Sequence, residues 1–242
     1  MNRDNVGRDA DYFFSMSHEL RTALNIMMAA CTMAKRHIDD RNKALDYLER
    51  IYLTGERITN LIDDIMEIRI MEQGGGDLNG DVFSIDELED ELLMLLEPLA
   101  AGRGIELNVT SENFVNREVI GDYGRLLHVL INIATNSIKY TDRGGTVTIC
   151  IEELSSGDPN TVSCRITCSD SGIGMTEDFI KHIFEPFSRA DDDRVREAGG
   201  TGLGMSIVKE TVDLMGGSIH IDSAAGVGTT VTIDLKLENG MR

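Results

Sequence analysis

Three residues able to act on one electrophile stand together near the start of the chain: His18, Glu19 and Thr22, in the stretch 13–30, FFSMSHELRTALNIMMAA. On a helix, residues three and four apart share a face, so the His18 imidazole, the Thr22 hydroxyl and Asn25 form one polar surface with the Glu19 carboxylate beside it. With an unperturbed pKa of roughly 6.5, a solvated imidazole is largely neutral near pH 7 and offers a ring nitrogen to an electrophile. A lone histidine on a helix is ordinarily just a solvated residue. The chemistry therefore needs partners elsewhere in the chain.

Three clusters further along can supply them. Asn132, Asn136 and Lys139 follow at spacings of four and three, which puts two carboxamides and an ammonium on one helix face. Hard cations take oxygen ligands, and Mg2+ commonly keeps waters and shares substrate phosphates, so one amide oxygen can be its sole protein ligand while Lys139 neutralises phosphate. Asp170-Ser-Gly-Ile-Gly174 follows a strand-like run, and a carboxylate at a strand end can accept a hydrogen bond from an exocyclic amine such as that of adenine. Gly199-Gly-Thr-Gly-Leu-Gly204 precedes a helical pattern, so backbone N–H groups at a helix start are open to a polyphosphate. No Lys-Ser/Thr pair follows these glycines, and their spacing is not that of a dinucleotide-binding loop. Between the last two clusters, Phe184 and Phe187 can anchor a charged loop, 188–198, as a lid over the site.

The elements that must carry these residues follow from periodicity. Phe13, Leu20, Leu24, Met27, Cys31, Ala34 and Ile38 draw one narrow apolar stripe down a first helix, and Ile51, Thr54, Ile58, Leu61, Ile65 and Ile68 draw another down a second. The polar segment 37–43 joins them as an antiparallel hairpin. Such a hairpin buries both stripes best as half of a dimeric four-helix bundle, so a homodimer is expected. The glycine-rich run 74–80 breaks the pattern and sets the expected organisation: a hairpin domain over 1–73, a hinge over 74–80 and a second domain over 81–242. In the second domain, helical periods at 85–100, 122–140 and 205–215 mix with strand-like runs at 104–110, 146–154, 161–169, 217–222 and 229–237. Helices facing a mainly antiparallel sheet make an α+β sandwich, which is the expected fold class.

The 242 residues carry 23 Lys and Arg against 42 Asp and Glu, a formal charge of −19 that disfavours nucleic acid and anionic membrane as partners. Cys31, Cys150, Cys164 and Cys168 lack zinc spacing and sit in apolar or strand-like runs, where they read as reduced core residues. No apolar run approaches the length that crosses a bilayer, and the N-terminus lacks a signal-peptide core.

In this order and spacing, the pieces resemble the sensor histidine kinases of two-component signalling over essentially the whole chain. SHELRT at 17–22 looks like the family's H-box, NIATNSIKYT at 132–141 its N-box, DSGIG its first glycine box, FEPF its F-box and GGTGLG its second glycine box. The resemblance implies a dimerising phosphotransfer hairpin followed by an ATP-binding domain of the Bergerat sandwich type. It implies an ATP- and Mg2+-dependent kinase that phosphorylates itself on His18 and passes the phosphoryl group to an aspartate of a response-regulator receiver domain. By the same resemblance Glu19 orients or deprotonates His18, Asn132 belongs to the nucleotide site, Asn136 binds Mg2+, Lys139 binds the phosphates, Tyr140 lies against the nucleotide and Asp170 reads the adenine amino group. Gly172 and Gly174 shape the adenine pocket, and Gly200, Thr201, Gly202, Leu203 and Gly204 frame the phosphates. Thr22 matches the position that aligns a water for dephosphorylating the regulator, so phosphatase activity is a further expectation.

The chain departs from the family in two places. Ala23 stands where proline usually follows the threonine, which predicts a straighter, stiffer first helix and puts the kinase–phosphatase balance in doubt. His128 stands where glutamine is common and keeps a hydrogen-bonding group. A kinase-like regulator that binds ATP without transferring phosphate, and a clamp-type ATPase of the same sandwich, are the competing readings. An intact His18, Glu19 and Asn136 argue against the first, and a phosphoacceptor hairpin against the second. No sensor or receiver domain is recognisable, so the chain reads as a cytoplasmic catalytic core, compatible with a longer membrane-anchored sensor.

Overall fold

The structure is a computed structural model and describes residues 3–72, 78–155, 158, 160–190, 195 and 202–240, with backbone alone at 3–16, 18, 19, 56, 57 and 60–72. The chain divides into two compact units, Met1–Arg69 and Ile70–Arg242. Residues 73–77 of the glycine-rich break lie outside the described residues. Just beyond the break the chain is anchored, because the Asn79 N–H donates to Asp122 Oδ2 at 3.1 Å.

The first unit is a helical hairpin of α1 (Arg3–Arg36) and α2 (Arg41–Glu72). At the turn, the Asp40 N–H bonds to the His37 carbonyl at 2.9 Å, and Asp40 Oδ1 accepts from the Lys43 N–H at 3.3 Å as α2 begins. Hydrogen bonds from the Lys43 side chain and backbone hold the Asp40 carboxyl below its usual range. His37 stacks on Tyr47 across the turn, with ring centroids 5.9 Å apart. The buried line on α1 is made of small residues, Ala23 and Ala30, with Leu20, Met27 and Ala34 half-buried beside it. Met27 Cε lies 3.7 Å from where a Cβ on Gly55 would stand, so small residues let the helices approach.

This corrects the expected stripe. Leu24 is 50% exposed and Ile38 72% exposed, and Cys31 is exposed rather than a core residue. The helix carries two apolar lines about one residue apart; one closes on α2 and the other, Leu24, Met28, Cys31 and Ile38, stays open in a single chain. On α2, Leu45, Leu48, Tyr52 and Leu53 are open in the same way.

The second unit is the expected α+β sandwich. In chain order it comprises β1 (Asp81–Ser84), α3 (Ile85–Arg103), β2 (Glu106–Glu112), β3 (Glu118–Gly121), α4 (Tyr123–Tyr140), β4 (Thr146–Leu154), β5 (Thr161–Asp170), α5 (Glu177–Ile180), α6 (Gly204–Leu214), β6 (Ser218–Ala224) and β7 (Gly228–Asn239). Among the described residues the strands form one seven-stranded sheet in the order β1-β3-β7-β5-β4-β2, with β6 also on β7. The β2–β4 pair is parallel and every other pair antiparallel.

Strands β1, β3 and helix α5 carry no sequence signal, because four residues are too few to show a period. Strand β2 starts at Glu106 rather than Gly104, since Gly104 closes α3 in the left-handed conformation, φ +68°.

Residues at every second position of β5 (Val162, Cys164, Ile166, Cys168) are buried, as are Leu126, Ile133, Ala134 and Ile138 on α4, which packs on the sheet between α3 and α6. Helix α3 opens on a capping box between Ser84 and Glu87. Helix α4 opens on Asp122, 5% exposed, whose Oδ1 accepts from the Arg125 N–H at 3.1 Å and whose Oδ2 sits 3.2 Å from Arg125 Nε.

Asp122 thus caps α4, pairs with Arg125 and anchors Asn79 at once. Replacing it with alanine is expected to destabilise the second unit by about 1–2 kcal/mol, lowering its thermal midpoint by a few degrees. Thermal unfolding followed by circular dichroism checks this, and an unchanged midpoint refutes the cap.

Candidate functional site

Helix α4 carries a polar line because its sheet-facing side is apolar and buried. Asn132 and Asn136 are half-buried on that line, and Asn132 Nδ2 donates to the His128 carbonyl one turn back at 3.3 Å. Asn132 Oδ1 lies 3.1 Å from where a Cβ on Gly204 would stand, so the polar line of α4 meets the first residue of α6. At the end of α4, Lys139 Nζ lies 4.8 Å from the centroid of the Tyr140 ring. That cation–π contact holds the ammonium close to the helix end. Burial raises the pKa of the half-buried Tyr140 hydroxyl, against the positive charge of Arg189.

Asp170 ends β5, the strand held between β4 and β7. Its Oδ1 accepts from the Gly172 N–H at 2.9 Å and the Thr229 N–H at 3.2 Å. Burial pushes the Asp170 carboxyl up, and these backbone hydrogen bonds oppose it. The carboxylate is thereby a fixed acceptor at the end of the central strand.

The loop after it is locked to its surroundings. The Ile173 N–H donates to the Tyr140 carbonyl at 3.1 Å, and the Ile173 carbonyl accepts from the Gly226 N–H at 2.7 Å. Gly174 has φ +60°, and a Cβ there would fall 1.9 Å from the Ala224 carbonyl oxygen. Only glycine fits this turn. Gly172 is buried against the same Tyr140 carbonyl.

On the far side, Phe187 and Gly202 are paired in the left-handed region, with φ +63° and +75°. A Cβ on Gly202 would fall 2.7 Å from the Phe187 carbonyl carbon. The F-box and the second glycine box therefore meet backbone to backbone. Leu203 is fully buried and precedes α6, whose first turn starts at Gly204. Gly199, Gly200 and Thr201 lie outside the described residues, as do 191–194 and 196–198 of the expected lid. Arg189 donates to the Val195 carbonyl at 2.8 Å.

The structure thus brings Asn132, Asn136, Lys139, Tyr140, Asp170, Gly172, Gly174, Gly202, Leu203 and Gly204 into one unit, with Asn132 against α6 and Tyr140 against the Asp170 loop. His18, Glu19 and Thr22 lie on α1 in the other unit. Thr22 is exposed, and the side chains of His18 and Glu19 lie outside the described residues. The residue that sequence reasoning missed is Thr229, which acts through a backbone N–H that no side-chain pattern reveals.

Comparison with known proteins agrees with this division. The family model described as the His Kinase A (phospho-acceptor) domain matches residues 12–74, and the one described as the Histidine kinase-, DNA gyrase B-, and HSP90-like ATPase matches residues 121–239. The Autoinducer 2 sensor kinase/phosphatase LuxQ of Vibrio harveyi is 30% identical over 233 residues, covering 96% of this chain and 27% of LuxQ. The sensor histidine kinase GacS of Pseudomonas protegens is 33% identical over 229 residues, covering 94% of this chain and 24% of GacS. The chain thus spans about a quarter of the length of these relatives.

Among solved structures, the histidine kinase ThkA in complex with the response regulator protein TrrA superposes with TM-score 0.71 at 23% identity, covering 99% of this chain and 65% of that one. The mycobacterial sensor histidine kinase MprB superposes with TM-score 0.53 at 26% identity, covering 67% of this chain and 99% of that one. With a phosphoacceptor-type hairpin and a nucleotide-type sandwich each matched in its own unit, the chain belongs to the sensor histidine kinases and carries their catalytic core.

Proposed function

We propose that the protein binds ATP in the second unit, phosphorylates His18 and passes the phosphoryl group to an aspartate of a response-regulator receiver domain. The observation that carries this is Asp170: a half-buried carboxylate at the end of β5, held by hydrogen bonds from the Gly172 and Thr229 N–H groups, in the same unit as the line of Asn132, Asn136 and Lys139 on α4. Asp170 accepts from the adenine amino group, Gly172 and Gly174 hold the backbone close enough for the flat ring to enter, and Tyr140 lies along the nucleotide. Lys139 neutralises phosphate, and the N–H groups opening α6, with Gly200, Thr201, Gly202, Leu203 and Gly204, surround the polyphosphate.

The donor set also fits Mg2+ delivered with the nucleotide. Among the described residues no group of three His, Cys, Asp or Glu could hold a metal by itself, whereas the Asn136 amide oxygen is a hard neutral ligand on the phosphate side. The cation would supply charge neutralisation for the β- and γ-phosphates. The remaining work is positioning. Glu19 orients the His18 ring, a ring nitrogen attacks the γ-phosphorus, and the bond to the β–γ bridging oxygen breaks to release ADP.

The apolar line left open on α1 and α2 supports a homodimer in which two hairpins close a four-helix bundle. Thr22, exposed one turn beyond His18, supports a second role in aligning water for regulator dephosphorylation. Among the described residues no helix is long and apolar enough to cross a membrane, and a reaction that draws on ATP fits the cytoplasm.

With γ-labelled ATP and Mg2+, the native chain is expected to take up acid-labile, alkali-stable label, and His18→Gln to take up none; label persisting in the variant refutes the assignment. Leu48→Glu places a charge on the open line and is expected to convert a dimer to a monomer by light scattering, with thermal stability of the second unit unchanged. Thr22→Ala is expected to retain autophosphorylation while slowing loss of phosphate from a phosphorylated receiver domain at least tenfold, on the order of a lost general-base or water-positioning contact. Equal rates exclude the hydroxyl.

A further inference from the structure

The peptide between Gly228 and Thr229 carries the N–H that donates to Asp170 Oδ1 at 3.2 Å. A Cβ on Gly228 would fall 2.0 Å from the Asp170 carbonyl oxygen, and its φ is +134°, so this position admits only glycine. Glycine has no side chain to hinder rotation of the peptide that follows it. Turned over, that peptide would aim a carbonyl oxygen at the carboxylate. The donor to Asp170 therefore needs a restraint.

Ser223 on β6 supplies one. Its hydroxyl donates to the Gly228 carbonyl at 2.9 Å, and this carbonyl and the Thr229 N–H belong to one planar unit. The peptide is thus held at both ends, by Asp170 on β5 and by Ser223 on β6, along the rung where Thr229 pairs with both residues. A hydroxyl has one proton and two lone pairs. Because the Ser223 proton goes to the Gly228 carbonyl, Thr229 is the donor in the 2.9 Å contact between the Ser223 and Thr229 hydroxyls. The remaining lone pair accepts from the Met175 N–H at 2.9 Å. Met175 directly follows Gly174, so the same oxygen also holds the far end of the Asp170–Gly174 turn.

We propose that Ser223 is a positioning residue for adenine recognition: by holding the Gly228 carbonyl it keeps the Thr229 N–H on the Asp170 carboxylate and so fixes how that carboxylate faces the ligand. The Gly172 and Thr229 N–H groups both bond to Oδ1, which sets the rotation of the carboxylate about its own axis. Gly172 belongs to the loop that Asp170 begins and moves with it. Thr229 belongs to the neighbouring strand, and gives the carboxylate a reference outside its own loop. Ser223 itself acts only through the peptide.

This inference rests on Asp170 reading adenine, and the experiment separates the two. Binding of ADP and of purine riboside 5′-diphosphate, which has hydrogen in place of the amino group, is measured by calorimetry on the full chain and on Ser223→Ala, Ser223→Thr, Ile221→Val and Asp170→Asn. Ser223→Ala is expected to weaken ADP binding about fivefold while leaving the purine analogue nearly unchanged, so preference for ADP falls. Ser223→Thr restores a hydroxyl on a residue suited to a strand and returns the preference. Ile221, buried two residues earlier on β6, is the control for a loosened strand. Ile221→Val lowers the thermal midpoint and leaves the preference as in the native chain.

A merely structural serine would weaken both nucleotides alike. That result, an unchanged preference in Ser223→Ala, a loss that Ser223→Thr does not restore, or an equal loss in Ile221→Val overturns the role of Ser223. Asp170→Asn keeps one oxygen for the two N–H groups and replaces the other with an amide nitrogen that carries hydrogen. Loss of ADP preference in that variant leaves the adenine reading standing whatever Ser223 does, and an unchanged preference refutes the adenine reading and this inference with it.

Discussion

A half-buried carboxylate is tolerable only where donors replace the water it has lost, and Asp170 meets that condition with backbone N–H groups from the loop that follows it and from β7. Sheet pairing fixes where it stands. Strand β5 is paired with β4 as far as Asp170 and with β7 as far as the Asp170↔Thr229 rung, so the backbone beneath the carboxylate has little freedom. The Thr229 donor belongs to that last rung, which means the register of β5 on β7 and the orientation of the carboxylate are one constraint. A slip of one residue would turn Asp170 to the opposite face of the sheet and dismantle the site.

Around this point the backbone is packed too tightly for ordinary side chains. Gly174 presses on the Ala224 carbonyl, and Gly202 presses on Phe187, itself in the left-handed region. Phenylalanine at positive φ costs of order 1 kcal/mol or more, and such strain persists only where surroundings over-determine it. Here the neighbour that over-determines it is the Gly202 backbone. The F-box and second glycine box are therefore not two motifs that happen to flank a loop. Each needs the other's backbone geometry, and together they set where the loop at 188–198 leaves and returns.

Long amphipathic elements are legible in the sequence because their periods span several turns: the pattern of α4 begins one residue from its observed start, and that of β4 matches its observed bounds. The adenine-side residues are legible as well, since Asp170 and its glycines lie within five consecutive positions at a strand end. Strands β1 and β3 are not, being four residues long and defined by their pairing rather than by their composition. Nor is the Thr229 donor, which acts through its backbone N–H rather than its side chain. On α1 the error is one of choice between two adjacent apolar lines. Leu24 and Ile38 are larger than Ala23 and Ala30 and dominate a hydropathy reading, yet the small residues make the closer helix contact.

That choice matters for how the hairpin works. A proline at the position of Ala23 would remove a backbone hydrogen bond and put a ring against the preceding turn. Alanine instead lets α1 run unbroken from Arg3 to Arg36 and, at 4% exposure, lies on the inner, close-packed line. The inner line is thin: alanines bury little area, and area is what hydrophobic stabilisation scales with. Most of the hairpin's large apolar side chains among the described residues lie instead on the outer line, which one chain leaves open. The two units thus obey different rules. The nucleotide unit owes its stability to a core closed within one chain and is complete at any concentration. The phosphoacceptor helix gains its main apolar burial only from the proposed second hairpin, so its stability depends on protomer concentration, and the helix that presents His18 is coupled to self-association in a way the adenine site is not.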